Sequence, residues 1–279
     1  MTGRRRDGAV SLAARMSGLS CDEYGAGPLV VLVHGSPGTG KSWQRVAERL
    51  AARFRVVAPD LPGYGGSAAL AGGADTHLAE TTRLLEELVM ARGAPTLLAG
   101  HSYGGVVALA AALRGAIRPM ALALLEPVAV PVLDTPEHRD AYASARSFFD
   151  DYVGRVASGD ARGIHAVVDY WFGAGAFAAL PPPMQAYMVA NAPRNARDVA
   201  ATMSANLSAD RLRTLAMPVT AIYGDRSPEI TVAIARAIAA RAPRGSVVAV
   251  DGAGHALTAT HVDAVVRLLG GLAESAAAS

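Results

Sequence analysis

The sequence has few of the residues that support disulfides, thiolate metal sites or strong electrostatic partners. Cys21 is the only cysteine among 279 residues, so it can form neither an internal disulfide nor a thiolate metal site by itself. The formal net charge is +2, which provides no field for binding nucleic acid or an anionic membrane. No run reaches the roughly 18 apolar residues that a membrane-spanning helix needs. We therefore expect neither nucleic acid nor a membrane as partner.

Three consecutive arginines, Arg4 to Arg6, are the only feature that suggests export. Arg15 interrupts the apolar stretch after them, and no small-x-small cleavage site follows cleanly. The sequence therefore predicts a cytoplasmic protein.

Hydrophobic residues make up 51% of the chain and charged residues 18%, a composition that excludes disorder and predicts a globular protein with ample core. Strand-like and helix-like runs alternate, which is typical of an α/β fold with a mostly parallel, doubly wound sheet. The predicted strands are residues 28–33, 55–58, 96–100, 121–125, 219–223 and 247–250. The predicted helices are residues 42–54, 76–91, 103–114, 230–241 and 261–273.

Residues 127–217 interrupt this alternation, because they contain prolines and helical patterns but no convincing buried strand. We predict a core of residues 1–126 and 218–279 with a helical lid inserted at 127–217. The predicted lid holds nine of the fifteen aromatic residues. They could form the lid's own core, the roof of an apolar pocket, or both.

The motif Gly-His-Ser-Tyr-Gly at residues 100–104 lies directly between a predicted strand and a predicted helix. This is G-x-S-x-G in the strand–turn–helix context that a nucleophile elbow requires. The sharp turn strains the serine backbone, and the glycines let neighbouring backbone approach without a Cβ clash. We therefore expect Ser102 to be a nucleophile whose hydroxyl stands clear of the sheet.

A serine hydroxyl is a weak nucleophile until a base takes its proton, and the chain has seven histidines. His255 is the expected base because it follows the last predicted strand, at the carboxyl edge where parallel sheets place their sites. We expect His261 to lie within a helix in a structural role. Strand alternation predicts that His101 points away from the site.

Two further loops extend the pattern over nearly the whole chain. His-Gly-Ser-Pro-Gly at residues 34–38 follows the first buried strand, and residues 60–67 fit D-x-P-G-x-G-x-S. With the serine elbow and the Gly-Ala-Gly-His loop at 252–255, the chain resembles the α/β-hydrolase fold family. The resemblance implies a doubly wound sheet with an inserted cap, and neither a metal nor an organic cofactor.

The elbow geometry and the resemblance together indicate how an oxyanion would be bound. The backbone N–H of Tyr103 is one expected donor because this residue follows the nucleophile. The second donor should come from the loop at 34–38, where Ser36 occupies the family's position and Pro37 has no N–H. His34 matches the family's loop histidine, for which the resemblance implies a supporting role.

The acid of the expected triad departs from the family's common pattern. Many relatives carry it after the strand that follows the lid, but Ser227 occupies that position here. Asp225 lies two residues away, and Glu126 ends the strand before the lid. A charged residue at the end of an apolar strand needs a partner. The placement of this glutamate also resembles that in the zearalenone-lactonase type of the family. We favour Glu126 over Asp225; alternatively, Glu126 merely caps the lid hinge.

Residues 35–42 also match G-x-x-x-x-G-K-[ST], the phosphate-binding P-loop, with the only lysine, Lys41, at its phosphate position. The same residues already fit an oxyanion loop. An NTPase would leave the serine elbow, the histidine loop and the lid unexplained, so we disfavour nucleotide binding.

The sequence therefore predicts a serine hydrolase that cleaves an ester or lactone of a small, apolar substrate through an acyl-enzyme on Ser102. The same triad would support carbon–carbon bond hydrolysis or cofactor-free perhydrolysis. A hydrolase-like protein that binds a small molecule without turnover is a further alternative, which the missing acid at its usual position favours. The oligomeric state cannot be inferred from these patterns.

Overall fold

The computed structural model describes residues 18–278, so the arginines Arg4 to Arg6 lie outside the described residues. Its seven strands form one sheet in the order β1-β3-β2-β4-β5-β6-β7, and every neighbouring pair is parallel except β1 and β3. The strands are β1 Cys21–Tyr24, β2 Leu29–Val33, β3 Arg55–Pro59, β4 Leu97–His101, β5 Ala121–Leu125, β6 Val219–Gly224 and β7 Gly245–Val250. The doubly wound α/β fold predicted from the sequence is confirmed.

The six predicted strands are present, but β1 was not predicted. It is a short antiparallel edge strand that is half-exposed and carries Asp22 and Glu23. Such a strand lacks the continuous apolar run by which the buried parallel strands were identified.

Eleven α-helices lie in the described part of the chain. They are α1 Gln44–Leu50, α2 Ala74–Met90, α3 Tyr103–Arg114, α4 Arg139–Ala157, α5 Ile164–Phe172, α6 Ala176–Ala179, α7 Pro182–Met203, α8 Ala209–Leu212, α9 Glu229–Arg241, α10 Leu257–Thr260 and α11 Val262–Ala277. A 3₁₀ turn at Gly40–Trp43 precedes α1. His261 flanks the start of α11 rather than lying inside a helix, because α10 ends just before it.

Both faces of the sheet are covered, which explains why β2 is buried along its whole length. Val31 and Val33 face one apolar layer, while Val30 and Leu32 face the other, as the two-residue period of a strand requires. The sheet is therefore exposed to solvent mainly at its two edge strands. The carboxyl ends of its central strands lie beside the inserted segment.

Between β5 and β6 the described residues form only helices, 3₁₀ turns and loops. Phe149, Tyr152 and Trp171 from this segment belong to the same apolar cluster as the sheet residues Val31 and Leu124. The segment thus shares its core with the sheet; its division at 127–217 and its role as a lid stay predictions. None of the described helices is both long and apolar enough to span a membrane.

The serine elbow leaves no room for a side chain at two of its glycines, Gly100 and Gly104. A Cβ on Gly100 would lie 2.2 Å from the carbonyl oxygen of Gly104, and one on Gly104 would lie 2.3 Å from that of Val33. Backbone atoms cannot give way as a flexible side chain does. The elbow therefore requires glycine at both positions for packing reasons.

We expect Gly100→Ala to lower the free energy of unfolding by about 2 kcal/mol or more, because the added methyl overpacks a backbone contact. Gly154→Ala is the matched control, since Gly154 is exposed in α4 and a Cβ there meets nothing within 4 Å. It should stabilise the protein by roughly 0.5–1 kcal/mol. Urea unfolding measures both, and equal effects of the two substitutions would contradict this account.

Candidate active site

Three polar side chains from different strand ends meet above the centre of the sheet. Ser102 follows β4, Glu126 follows β5, and His255 lies in the loop after β7. The Nε2 of His255 is 3.2 Å from the Ser102 Oγ, and its Nδ1 is 3.1 Å from the Glu126 Oε2. The structure therefore brings together the three side chains for which the sequence predicted a nucleophile, a base and an acid.

Ser102 sits in a conformation that few residues other than glycine adopt, with φ 54° and ψ −123°. Its N–H donates to the carbonyl of Leu125 at 3.0 Å, and its carbonyl accepts from Gly105 at 2.9 Å. These bonds to β5 and to the first turn of α3 hold the strained turn in place. Ser102 also lines a cavity.

Glu126 is fully buried and also has a positive φ, 48°. Its Oε1 accepts hydrogen bonds from the N–H of Gly224 and the hydroxyl of Ser227, each at 2.6 Å. Burial raises the pKa of this carboxyl. The hydrogen bond and charge of His255, together with the hydrogen bonds from Ser227 and Gly224, outweigh burial and hold the pKa below its ordinary value. Glu126 is therefore an ionised acceptor facing the imidazole.

The two alternative positions for the acid differ in what surrounds them. Ser227, at the family's usual acid position, donates to Glu126 instead of contacting the histidine. Asp225 is exposed, and within residues 18–278 no bond joins its side chain to His255. The structure thus brings Glu126, and not Asp225, to the imidazole.

Aromatic rings enclose His255 on two sides. Trp171 stacks on the imidazole at 5.3 Å between ring centroids, and Phe172 meets it edge-on at 5.1 Å. Both residues lie at the end of α5. These contacts limit the orientations open to the imidazole and keep water from its faces.

His101 lies against the site, so the prediction that it points away is wrong. Its Nε2 donates to the carbonyl of His255 at 2.8 Å, and its ring lines the cavity. Burial, and then the neighbouring His255, lower the pKa of His101 to about 4, so the ring is neutral. His101 is the last residue of β4 and meets Trp43 on the face of the sheet that Leu97 and Ala99 share, so alternation holds, but the loop that carries His255 packs on that face as well.

Ser36 and Tyr103, the residues expected to supply oxyanion donors, both line the cavity beside Ser102. As the first residue of α3, Tyr103 has an N–H without an acceptor in its own helix. His34 braces the loop that carries Ser36: its Nδ1–H donates to the Gly35 carbonyl, and its Nε2 accepts from the N–H of Leu61, both at 2.8 Å. Burial lowers the pKa of His34, which keeps this pattern of one donor and one acceptor.

A cavity of about 210 Å³ opens above Ser102. One side is a wall of apolar side chains from the inserted segment, among them Val130, Phe149, Ile164, Val168, Trp171 and Met188. The polar residues Asn195 and Asp198 of α7 line it as well. Among the described residues, no group of three or more His, Cys, Asp or Glu side chains could hold a metal ion.

The sequence profile of the alpha/beta hydrolase family matches residues 30–268. This chain belongs to the alpha/beta hydrolase family. It is 31% identical over 257 residues to a pimeloyl-[acyl-carrier protein] methyl ester esterase of Xanthomonas campestris pv. campestris, covering 89% of this chain and 96% of that relative.

Solved structures agree with this assignment. A thermophilic esterase from Thermogutta terrifontis superposes with a TM-score of 0.71 at 26% identity, over 92% of this chain and 93% of that one. An esterase from Exiguobacterium antarcticum has a TM-score of 0.72 at 18% identity, over 92% and 95% of the two chains, and shows the shared fold.

The P-loop-like segment of this hydrolase is built differently from a phosphate cradle. The N–H of Gly40 donates to Asp60 Oδ1 at 2.8 Å, and the other oxygen of that carboxylate accepts from Gly66 at 2.8 Å. Asp60 thus brings a negative charge to the loop that would have to hold an anion. Lys41 is exposed on a 3₁₀ turn. These contacts argue against nucleotide binding at this loop.

We expect the hydrolase to lose stability as the pH falls from about 6.5 to about 4. In this window the unfolded chain binds a proton at position 101 that the folded protein does not, since the folded pKa is about 4 and the ordinary value 6.5. The stabilisation is therefore complete above pH 6.5 and falls with acidification. Urea unfolding at several pH values checks this.

His101→Gln is the informative variant for this pH dependence, because glutamine keeps an N–H donor but does not titrate. It should lose less stability than the wild type between pH 6.5 and pH 4, whatever its stability at neutral pH. An unchanged slope would assign the acid sensitivity to other groups.

Proposed function

We propose that this hydrolase cleaves an ester or lactone of a small, apolar substrate through an acyl-enzyme on Ser102. The observation that carries the proposal is the unbroken contact from Ser102 Oγ through the imidazole of His255 to the buried carboxylate of Glu126. An acidic residue, a histidine and a serine in this order are what acyl transfer by a serine requires.

In the proposed first step, His255 Nε2 takes the Ser102 proton as Oγ bonds to the substrate carbonyl carbon. Glu126 holds the proton on Nδ1 and stabilises the imidazolium that forms. The backbone N–H groups of Ser36 and Tyr103 would receive the negative carbonyl oxygen. The carbon–oxygen bond of the ester then breaks, and the leaving alkoxide takes the proton from His255.

Deacylation would use the same groups in the opposite sense. His255 takes a proton from water as the water oxygen attacks the acyl carbon, and returns that proton to Ser102 when the acid leaves. Trp171 and Phe172 enclose the imidazole, which favours a low-dielectric setting in which these charges interact strongly.

Two findings support an ester as the bond that is cleaved. The relative that matches nearly the whole chain is named as a methyl ester esterase, and the Thermogutta terrifontis structure is described as an esterase. The ester-acting hydrolase is therefore the assignment that sequence, geometry and relatives share. The apolar wall of the cavity supports an apolar acyl or ring system as the group bound there.

The binding-protein alternative depended on the missing acid at its usual position. Glu126 supplies a carboxylate to His255 from the end of β5, and Ser227 at the usual position donates to that carboxylate. The feature that favoured a protein without turnover is accounted for, so we prefer the enzyme.

A fluorophosphonate probe tests the nucleophile. We expect stoichiometric labelling of the wild type at Ser102, located by mass spectrometry, because only an activated serine reacts at an appreciable rate. Ser102→Ala should not be labelled. A folded wild type that is neither labelled nor able to hydrolyse simple p-nitrophenyl esters would refute the proposed function.

Replacement of each candidate acid by its amide tests which one belongs to the triad. Glu126→Gln should lower kcat by about 10³- to 10⁴-fold, since the amide favours the wrong imidazole tautomer and cannot stabilise its charge. Asp225→Asn, an isosteric change at an exposed position, should stay within about threefold of the wild type. For both variants, kcat is expressed per Ser102 that the fluorophosphonate probe labels. The opposite ranking would assign the acid to Asp225.

A further inference from the structure

A chain of buried hydrogen bonds joins the inserted helix α7 to the loop that carries Ser36. The hydroxyl of Tyr64 donates to Asp198 Oδ2 at 2.6 Å, and the Ser36 hydroxyl lies 2.9 Å from the Tyr64 oxygen. Asn195, one turn before Asp198, donates its Nδ2 proton to the Ser36 Oγ at 2.9 Å. The triad mechanism uses neither of these α7 residues nor Tyr64.

The carboxylate of Asp198 sets which group donates in each hydrogen bond of this series. Tyr64 has one proton and gives it to Asp198, so its oxygen can only accept from Ser36. Burial, and then the charge of Asp198, raise the pKa of Tyr64 well above its ordinary value, which keeps that proton in place. Ser36 therefore donates to Tyr64 and accepts from Asn195.

Both ends of the chain are anchored in the interior. His77 of α2 contacts Asp198 Oδ1 through Nε2 at 2.8 Å, and the Tyr152 hydroxyl of α4 donates to Asn195 Oδ1 at 2.8 Å. Asp198 is only 2% exposed and Tyr64 3%. A carboxylate at this depth carries a large desolvation cost, so a position that served only to fill space would be better taken by an apolar residue.

Ser36 is the point at which this chain reaches the site. Its side chain is held from both directions, by a donor on α7 and an acceptor in the loop after β3. Its backbone N–H is the second oxyanion donor of the proposed function. Fixing the side chain of a loop residue also restricts the orientation of its peptide, and small displacements of an oxyanion donor are costly.

We propose that Asp198 and Tyr64 are positioning residues that act through Ser36 to aim its N–H at the oxyanion, so that α7 completes the oxyanion hole. This inference rests on the proposed function for its catalytic consequence. Its structural consequence, a loop at 34–38 held in place by α7, does not depend on turnover.

Tyr64→Phe tests the proposal because it removes one hydroxyl and keeps the ring that packs edge-on against His34. We expect kcat per labelled Ser102 to fall about 10- to 100-fold with KM within about threefold, since only the transition state carries the oxyanion. A trifluoromethyl ketone, which forms a tetrahedral adduct, should bind more weakly by the same factor as kcat. Tyr142→Phe on α4 is the control and should change neither.

Ser36→Ala keeps the backbone N–H but removes the other end of the same bond. It should lower kcat at least as much as Tyr64→Phe does, because it also removes the bond that Asn195 donates. The losses of the two single variants should not multiply in the double variant, because both remove the bond between Ser36 and Tyr64. Losses that multiply in the double variant would overturn the proposal.

Amide hydrogen exchange separates this inference from the proposed function. In Tyr64→Phe the peptide that covers residues 34–40 should exchange about five- to tenfold faster, as expected for the loss of one hydrogen bond, while residues 219–224 stay unchanged. Unchanged exchange at 34–40 overturns the inference even if the wild type is a fully active esterase. If the wild type is neither labelled nor active, the proposed function fails, and faster exchange at 34–40 still supports the anchoring of the loop by α7.

Discussion

The charge of Glu126 is the constraint from which the geometry of the site follows. An ionised carboxylate that is fully buried at the end of an apolar strand would cost several kcal/mol without partners. Three donors meet it, from Gly224 at the end of β6, from Ser227 in the next loop and from His255. Because the imidazole is one of these three, the contacts that make the buried charge tolerable also orient the histidine toward Ser102.

Backbone strain is concentrated at the same edge of the sheet. Ser102 and Glu126 directly follow neighbouring parallel strands, and both have positive φ. Such conformations cost on the order of 1–3 kcal/mol each and persist only when the surroundings hold them. Here the ladder continues through them, since the N–H of Ser102 donates to Leu125 and that of Glu126 donates to Ile222. The sheet therefore stabilises the two turns that carry Ser102 and Glu126.

The inserted segment is part of this arrangement, because its core is continuous with that of the sheet. Helix α5 places Trp171 against the imidazole, and α7 reaches the loop of Ser36 through Asn195. Helix α7 contributes to the apolar wall through Met188 and to the polar lining through Asn195 and Asp198.

Local patterns in the sequence predicted the central strands, the serine elbow and the histidine that contacts Ser102. A buried parallel strand is a continuous apolar run, and a nucleophile elbow needs glycines two residues before and after the serine, so both are visible within a few residues. The edge strand β1 escaped because its half-exposed, polar pattern resembles a loop. His101 was misplaced because the loop that carries His255 packs against the face of β4 on which alternation places it.

Only the tertiary structure shows that Glu126, and not Asp225, contacts His255, since both residues follow strands whose carboxyl ends lie at the same edge. The decision depended on which carboxylate the loop after β7 approaches, a contact 129 residues apart in the chain. The pairing of Tyr64 with Asp198 spans 134 residues and has no local signal at all. A sequence shows which residues share a strand or a helix face, but the partners of buried polar groups are set by how those elements pack.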